Sequence, residues 1–275
     1  MATGQTARER RPVITAAVEI RNCHEFDEFS ACLDLQREVW NFSDLDLIPL
    51  RMFVVASKVG GQVIGAFDGN QLVGFALSVP GARAGHPYLH SHMLAVRESY
   101  RNTGLGRRLK LFQREDALVN GYELIEWTFD PLEIKNAYLN IERLGAIARR
   151  YNLNQYGITS SPLQGFLPTD RLVAEWWLRS KRVTTLLATG QKPELQVIQR
   201  ISVPAQIYAW KAAAATRSRA ADVQGCNREL FLRAFVDRLS VLGYERNSEG
   251  DGTFLLGRWD EHWSYASEDK HSDTQ

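Results

Sequence analysis

The stretch YRNTGLGRRLK, Tyr100 to Lys110, sets two glycines two residues apart between a run that reads as a strand and one that reads as a helix. One glycine would satisfy a tight turn, whereas a second leaves the N–H groups of a helix mouth bare to something bulky and anionic. The amides of Asn102, Thr103, Gly104, Leu105 and Gly106 are therefore a candidate phosphate cradle. Arg107 is a candidate side-chain partner in the first helical turn. Two further groups suit proton transfer. Glu126 sits mid-strand between Ile125 and Trp127, where a carboxylate must be paired or hydrated and its pKa tends upward. His90 and His92 lie two apart on a neighbouring strand, hence on one face, and imidazole titrates near working pH.

Positioning these groups requires an ordered set of elements. VITAAVEI alternates Ile14, Ala16, Val18 and Ile20 and reads as a strand, and HEFDEFSACLDLQREVW places Phe26, Phe29, Leu33 and Trp40 at helical spacing. A second helix is expected in PLRMFVVASKV, with Pro49 in its first turn, then two strands in QVIGAFDGNQLVGFALSV joined at Asp68, Gly69 and Asn70. YLHSHMLAV is a further strand leading into the glycine loop. From Leu105 the pattern is helical, with Leu105, Leu109, Phe112 and Val119 inward and Arg107, Lys110 and Arg114 on a separate stripe. ELIEWTFD is a strand, and DPLEIKNAYLNIERLG a helix with Asp130 at the N-cap, Pro131 at N1, Glu133 at N3 and Gly145 at its end. LPTDRL reads as another helix start, capped by Thr169 or Asp170, with Arg171 able to face a cleft and grip a carboxylate bidentately. Later come a strand in LQVIQRISV, an amphipathic RELFLRAFVDRLSVLGY and a final GTFLLGRW.

The composition narrows the classes. With 275 residues, 44% of them hydrophobic, the chain can bury a full core. Thirty-three Lys and Arg against thirty-two Asp and Glu give +1, so no global field recruits nucleic acid or an anionic membrane. Three cysteines without a CxxC pair argue against a disulfide framework or a zinc ribbon and fit a reducing cytoplasm. His86, His90 and His92 have no carboxylate or cysteine at companion ligand spacing, so no metal is expected. The start lacks an apolar leader, and no run is long and apolar enough to cross a bilayer. Residues 1–12 and 261–275 read as disordered, 13–170 as one α/β or α+β domain, and 171–260 as an extension packing on it.

A P-loop would need GxxxxGK followed by Ser or Thr, and a dinucleotide fingerprint a small residue where Leu109 stands. What is present is Arg101, Gly104 and Gly106 as RxxGxG, after LAV at a strand end. This resembles motif A of the GNAT superfamily of acyl-CoA N-acyltransferases. WTFDPLEIKNAYLNIERLGA is similar to that superfamily's second motif, so the likeness covers residues 88–146 in detail. With PTDR, HSHMLAV and EWTFDPL the chain further resembles a longer bacterial GNAT subgroup with a C-terminal extension.

The resemblance implies a mixed, mainly antiparallel sheet flanked by helices, and acetyl-CoA or another short acyl-CoA as co-substrate. The backbone of Leu94, Ala95 and Val96 would polarise the acyl carbonyl, Arg101 to Arg107 would hold the pyrophosphate, and Asn136 would join from the second-motif helix. His92 or Glu126, or a water relay, would take the amine's proton. The family's acidic tyrosine falls at Ile141, which leaves Tyr138, Tyr151 or water to protonate the thiolate. The expected acceptor is a small-molecule amine, an amino acid among the options given Arg171, and a homodimer is open. A non-catalytic CoA-binding or scaffold module is the rival.

Overall fold

Alternating apolar runs and amphipathic segments resolve, in the computed structural model, into ten strands and seven α-helices among the described residues, 18–157 and 166–259. The first half holds β1 (Glu19–Asn22), α1 (Phe26–Trp40), α2 (Leu50–Lys58), β2 (Gln62–Asp68), β3 (Gln71–Arg83), β4 (His86–Val96), α3 (Leu105–Val119), β5 (Leu124–Phe129) and α4 (Ile134–Ala137). The second holds β6 (Ile147–Asn152), β7 (Arg171–Trp177), α5 (Lys181–Thr189), β8 (Gln199–Val203), α6 (Ile207–Ala212), α7 (Arg217–Val236), β9 (Leu239–Arg246) and β10 (Gly252–Arg258). Residues 1–12, 261–275 and the start of VITAAVEI lie outside the described residues; the strand there is seen from Glu19.

All ten strands share one sheet, ordered β1-β2-β3-β4-β5-β7-β6-β9-β10-β8. Every pairing is antiparallel except β4 with β5, whose connection is the crossover helix α3. β7 starts at Arg171, where the sequence places the extension, yet it lies between β5 and β6. One core cluster unites Ile125, Trp127 and Phe129 of β5 with Ile201, Phe231 and Phe254 of the second half. α1 and α2 cover the other face through Phe29, Leu35 and Phe53. Among the described residues, no helix is long and apolar enough to cross a membrane.

Four local expectations are corrected. LPTDRL is no helix start. Asp170 accepts from Tyr151 Oη at 2.9 Å, Arg228 Nε at 2.7 Å and the Asn154 amide at 3.0 Å, and these partners tie Arg171 into a strand. The helix of DPLEIKNAYLNIERLG begins only at Ile134 with Glu133 at the N-cap, because Asp130 turns back on the Leu132 amide at 2.8 Å and pairs with Lys211. After one α-turn it widens into a π-helix over Tyr138–Arg143, with the Leu144 amide reaching Leu139 O at 3.0 Å. RELFLRAFVDRLSVLGY divides between α7 and β9. Finally, Val119 is 86% exposed in the last turn of α3, whereas Lys110 is 2% exposed and no part of a solvated stripe. The 3.6 periodicity gives the angle of Lys110 on the helix, but its cover comes from Trp127 and Trp176 of β5 and β7.

Candidate active site

β4 and β5 pair in parallel through Leu89↔Ile125 and His90↔Glu126 and nowhere beyond. From there β4 continues to Val96 and β5 to Phe129 without each other, so the sheet opens into a fork. On its other side β4 carries a bulge, since the register with β3 shifts between Leu77↔Met93 and Ser78↔Ser91 and leaves His92 without a ladder partner. Unpaired backbone and an extra residue thus meet at one point. A cavity of about 600 Å³ occupies the fork. His92, Met93 and Leu94 line it from β4, and Thr128, Phe129 and Asp130 from the β5 side. Trp40 at the end of α1, Phe42 and Asp46 of the α1–α2 connection, Asn136, Tyr156 and Arg171 close it.

The glycine loop stands beside the fork. Asn102 and Gly104 have positive φ, 63° and 87°, and Gly104 is the N-cap of α3. The first intrahelical bond runs from the Arg108 amide to Gly104 O at 3.1 Å, so the amides of Leu105, Gly106 and Arg107 belong to the open first turn. Gly106 is not in the positive-φ region. A Cβ there would come no nearer than 3.8 Å to Val96 Cγ2, so no protein atom demands its bareness. The bare backbone is instead what a pyrophosphate needs to approach the amides closely, and the residues present therefore fit an acyl-CoA. Arg101 Nε donates to Val96 O at 3.1 Å, and Arg107 Nε reaches Arg143 O at 3.3 Å, linking the α3 mouth to the end of the π-helix.

Residues 22–136 match the model of the Acetyltransferase (GNAT) family. That segment, 115 of the 275 residues, is similar to a GNAT acetyltransferase domain. Among solved structures, yncA of Salmonella typhimurium, determined with its cofactor acetyl-CoA, aligns at 14% identity and a TM-score of 0.50, over 60% of this chain and 96% of that one. The ribosomal-protein-S18-alanine N-acetyltransferase of Escherichia coli aligns at 14% and 0.48, also over 60% and 96%. An N-acetyltransferase of Staphylococcus aureus aligns at 12% and 0.49, over 60% and 100%. A comparison with curated proteins finds no match. The likenesses concern the fold, and they leave a large part of this chain beyond the GNAT domain uncovered.

The fork brings His92, Leu94 and Asn136 of the matched segment together with Arg171 of β7 around one cavity. Val96 turns toward α3, while Ala95 is buried on the opposite face among the α1 and α2 contacts. Burial lowers the pKa of His92, and burial followed by the neighbouring His92 lowers that of His90; the two rings are 6.0 Å apart. Glu126 is drawn away from a free role, since Arg83 donates to both its oxygens at 2.5 and 2.8 Å and Arg150 adds a third contact. Tyr138, on the π-helix, is not among the residues lining the cavity and is 36% exposed. Tyr151 donates to Asp170, and its pKa is raised by burial and by that carboxylate.

Several cavity groups escaped the sequence reading. Tyr156 places its hydroxyl 2.9 Å from Thr128 Oγ1, and nothing in NLNQYGIT signals this. Asp130 and Glu133 both line the cavity and both bind Lys211 Nζ of α6, at 3.0 and 2.9 Å. Lys211 is 5% exposed, so the extension sets this wall. The aromatic pair Trp40 and Phe42 before an acidic loop was the one local signal available.

Proposed function

We propose that the protein is an acyl-CoA-dependent N-acyltransferase that moves an acetyl or other short acyl group to the primary amine of a small molecule, by direct attack within a ternary complex. The observation that supports it is the cavity in the β4–β5 fork beside the open mouth of α3. A thioester held there would have its carbonyl against β4 backbone that lacks a partner strand, the kind of preorganised donor that stabilises an oxyanion. The amine nitrogen bonds to the acyl carbon, the C–S bond breaks, and the amine's proton must be removed while the thiolate gains one.

His92 is the base in this reading, directly or through water. Its lowered pKa keeps it neutral, and so able to accept a proton, at neutral pH. Glu126, with both oxygens in ion pairs, serves as structure instead. Tyr156 replaces Tyr138 as the candidate donor to the thiolate because its hydroxyl lies at the cavity. Arg171 would hold an acceptor carboxylate, which makes amino acids or their derivatives the favoured acceptors. Asp46, Asp130 and Glu133 give the walls the sign that suits an ammonium before it is deprotonated. Ile141, fully buried where the family places a tyrosine, favours the second reading, a CoA-binding module without turnover.

The test is release of free thiol from acetyl-CoA and succinyl-CoA against a panel of amines and amino acids, alongside calorimetry of CoA binding. Turnover with any pair supports the transferase. Tight binding without thiol release across the panel favours the module, and no binding defeats both.

A further inference from the structure

The pairing of β4 with β5 ends at His90↔Glu126, and the next residues on the two strands are Ser91 and Trp127. Both are buried, and the side chain of Lys110 reaches both from α3. Lys110 Nζ donates to Ser91 Oγ at 3.0 Å and lies 3.8 Å from the centre of the Trp127 ring, so one amine spans the two strands where they part. A second bond, of 2.7 Å, runs to Gln113 Oε1 one turn along the same helix. Trp127 is held in a T-shaped contact with Trp176 of β7, whose Nε1 donates to Leu144 O at 2.7 Å. One residue further along each strand stand His92 and Thr128, which line the cavity.

The same amine sits at the end of a polar row that crosses the sheet. Gln62 of β2 pairs with Ser78 of β3, and Ser78 with Ser91 of β4. All three are buried, and Ser78 Oγ donates to Gln62 Oε1 at 2.8 Å. Gln62 Nε2 donates to Gln113 O at 3.0 Å and to Asp116 Oδ2 at 2.7 Å, which fastens α3 to β2 and β3, while Lys110 fastens it to β4 and β5. The row stops where β4 bulges, since His92 is the residue left over between Ser78↔Ser91 and Leu77↔Met93. At Ser91, β4 has lost β5 on one side and is about to lose register with β3 on the other. A side-chain bond at that residue therefore has leverage over where His92 points.

A buried amine carries a cost that leucine at this position would avoid, and no carboxylate pairs with Lys110 among the described residues. What the amine adds, and an alkyl chain cannot, is the bond to Ser91. Burial favours its neutral form, which carries two N–H groups, and two acceptors meet it. We infer that Lys110 is a positioning residue, a strut from α3 that sets the spacing of β4 and β5 at the base of the fork and, through Ser91, aims His92 into the cavity. Its catalytic consequence rests on the transferase reading, while the strut itself does not.

Imidazole NMR on the full chain, with no acyl donor present, tests the strut. In the parent His92 titrates below 6.5 because it is buried. In Ser91→Ala and in Lys110→Ala its pKa should rise toward 6.5 as the bulge loosens and water reaches the ring. Ser91→Ala alters no charge, and the ionisable groups around His92, namely His90, Asp46, Asp130, Glu133, Tyr156 and Arg171, are the same in every variant, so movement there reports position. The double variant should move His92 no further than Lys110→Ala alone, since the two side chains act through one bond. In thiol-release assays Ser91→Ala should lose about tenfold in kcat, within the ~100-fold that a misplacement of roughly 1 Å can cost, while acetyl-CoA affinity stays within about twofold of the parent. If Lys110→Ala misfolds, Ser91→Ala decides alone. Shifts that add in the double variant, or parental kcat in Ser91→Ala, would overturn the proposal and leave Lys110 as packing. Thiol release at the parental rate with an unmoved His92 does so while the transferase stands, and a shifted His92 in a protein that releases no thiol from any acyl-CoA does the reverse.

Discussion

At the start of α3 two glycines keep a helix mouth bare beside the fork, whereas at the start of α4 a buried lysine from the second half of the chain binds two acids and fixes a wall of the cavity. The mouth is made of backbone amides and lies inside the family match. The wall depends on α6, outside that match. On the proposed function, the contrast separates an acyl-CoA side held inside the family match from an acceptor side that depends on the second half of the chain.

The sharpest way to break the contrast is Gly104→Val. A β-branched side chain at φ 87° is strained, and the loop amides would be displaced, so acetyl-CoA affinity should fall at least ~100-fold by calorimetry. Gly106→Val sharpens the point: with only ordinary van der Waals contacts at its Cβ it should melt like the parent yet bind about tenfold more weakly, the scale of about one lost phosphate hydrogen bond. Parental affinity in both would place CoA elsewhere.

His92→Ala sits between the two sides and should cut kcat by about 100-fold, the lower range for removing a general base. A base works deprotonated, and burial lowers this imidazole's pKa, so the acid limb of the parental rate profile should lie below the ordinary histidine value of 6.5. The variant should lose that limb; a profile that keeps it would move the base to another group.

Lys211→Met probes the acceptor side. Removing one partner of a buried ion pair exposes the others to an uncompensated cost, so stability should drop by about 3 kcal/mol in denaturant titration. The acceptor KM should rise while acetyl-CoA binding stays near parental, and equal losses on both sides would erase the contrast. Smaller still, Tyr156→Phe should slow turnover several-fold and Tyr138→Phe by less than twofold, since late proton donation contributes less than oxyanion stabilisation. The reverse order would return the acid to Tyr138.

The smallest effect concerns Lys110, buried on α3 against Trp127 at 3.8 Å with bonds to Ser91 Oγ and Gln113 Oε1. Burial sets its pKa well below 10.5, and the aromatic face tempers that shift without reversing it. Below 10.5 the unfolded chain therefore binds more protons than the folded one, and parental stability falls as pH falls toward the folded pKa. Lys110→Met should lack this slope, so its stability relative to the parent should grow as pH is lowered from about 10 toward neutrality.

The strand, glycine loop and helix of the proposed acyl-CoA side were legible as structure because they are local. A strand end, RxxGxG and an amphipathic helix fall within consecutive residues, and each leaves a chemical mark. The acceptor wall was not, since its parts meet only in space. No spacing links Lys211 to Asp130 and Glu133, or Arg150 to Glu126. PTDR misled for the same reason, because an Asp that caps a helix and an Asp that ties three segments together look alike in one dimension. The bulge at His92 left no trace in strict alternation, so the two histidines were assigned one face correctly without revealing why His92 alone meets the cavity.

The insertion of β7 between β5 and β6 has a consequence for synthesis. When β5 and β6 have left the ribosome they are adjacent in sequence but must not pair, for the strand that separates them ends at Trp177. At ~5–20 residues per second, β5 keeps one open edge for roughly 2–10 s after Phe129 emerges. During that interval the apolar LIEWTF edge can join a premature β5–β6 hairpin or another nascent chain. The chain's yield in a cell should therefore depend on how quickly ribosomes traverse residues 130–177, a demand for translational tempo set by strand order alone.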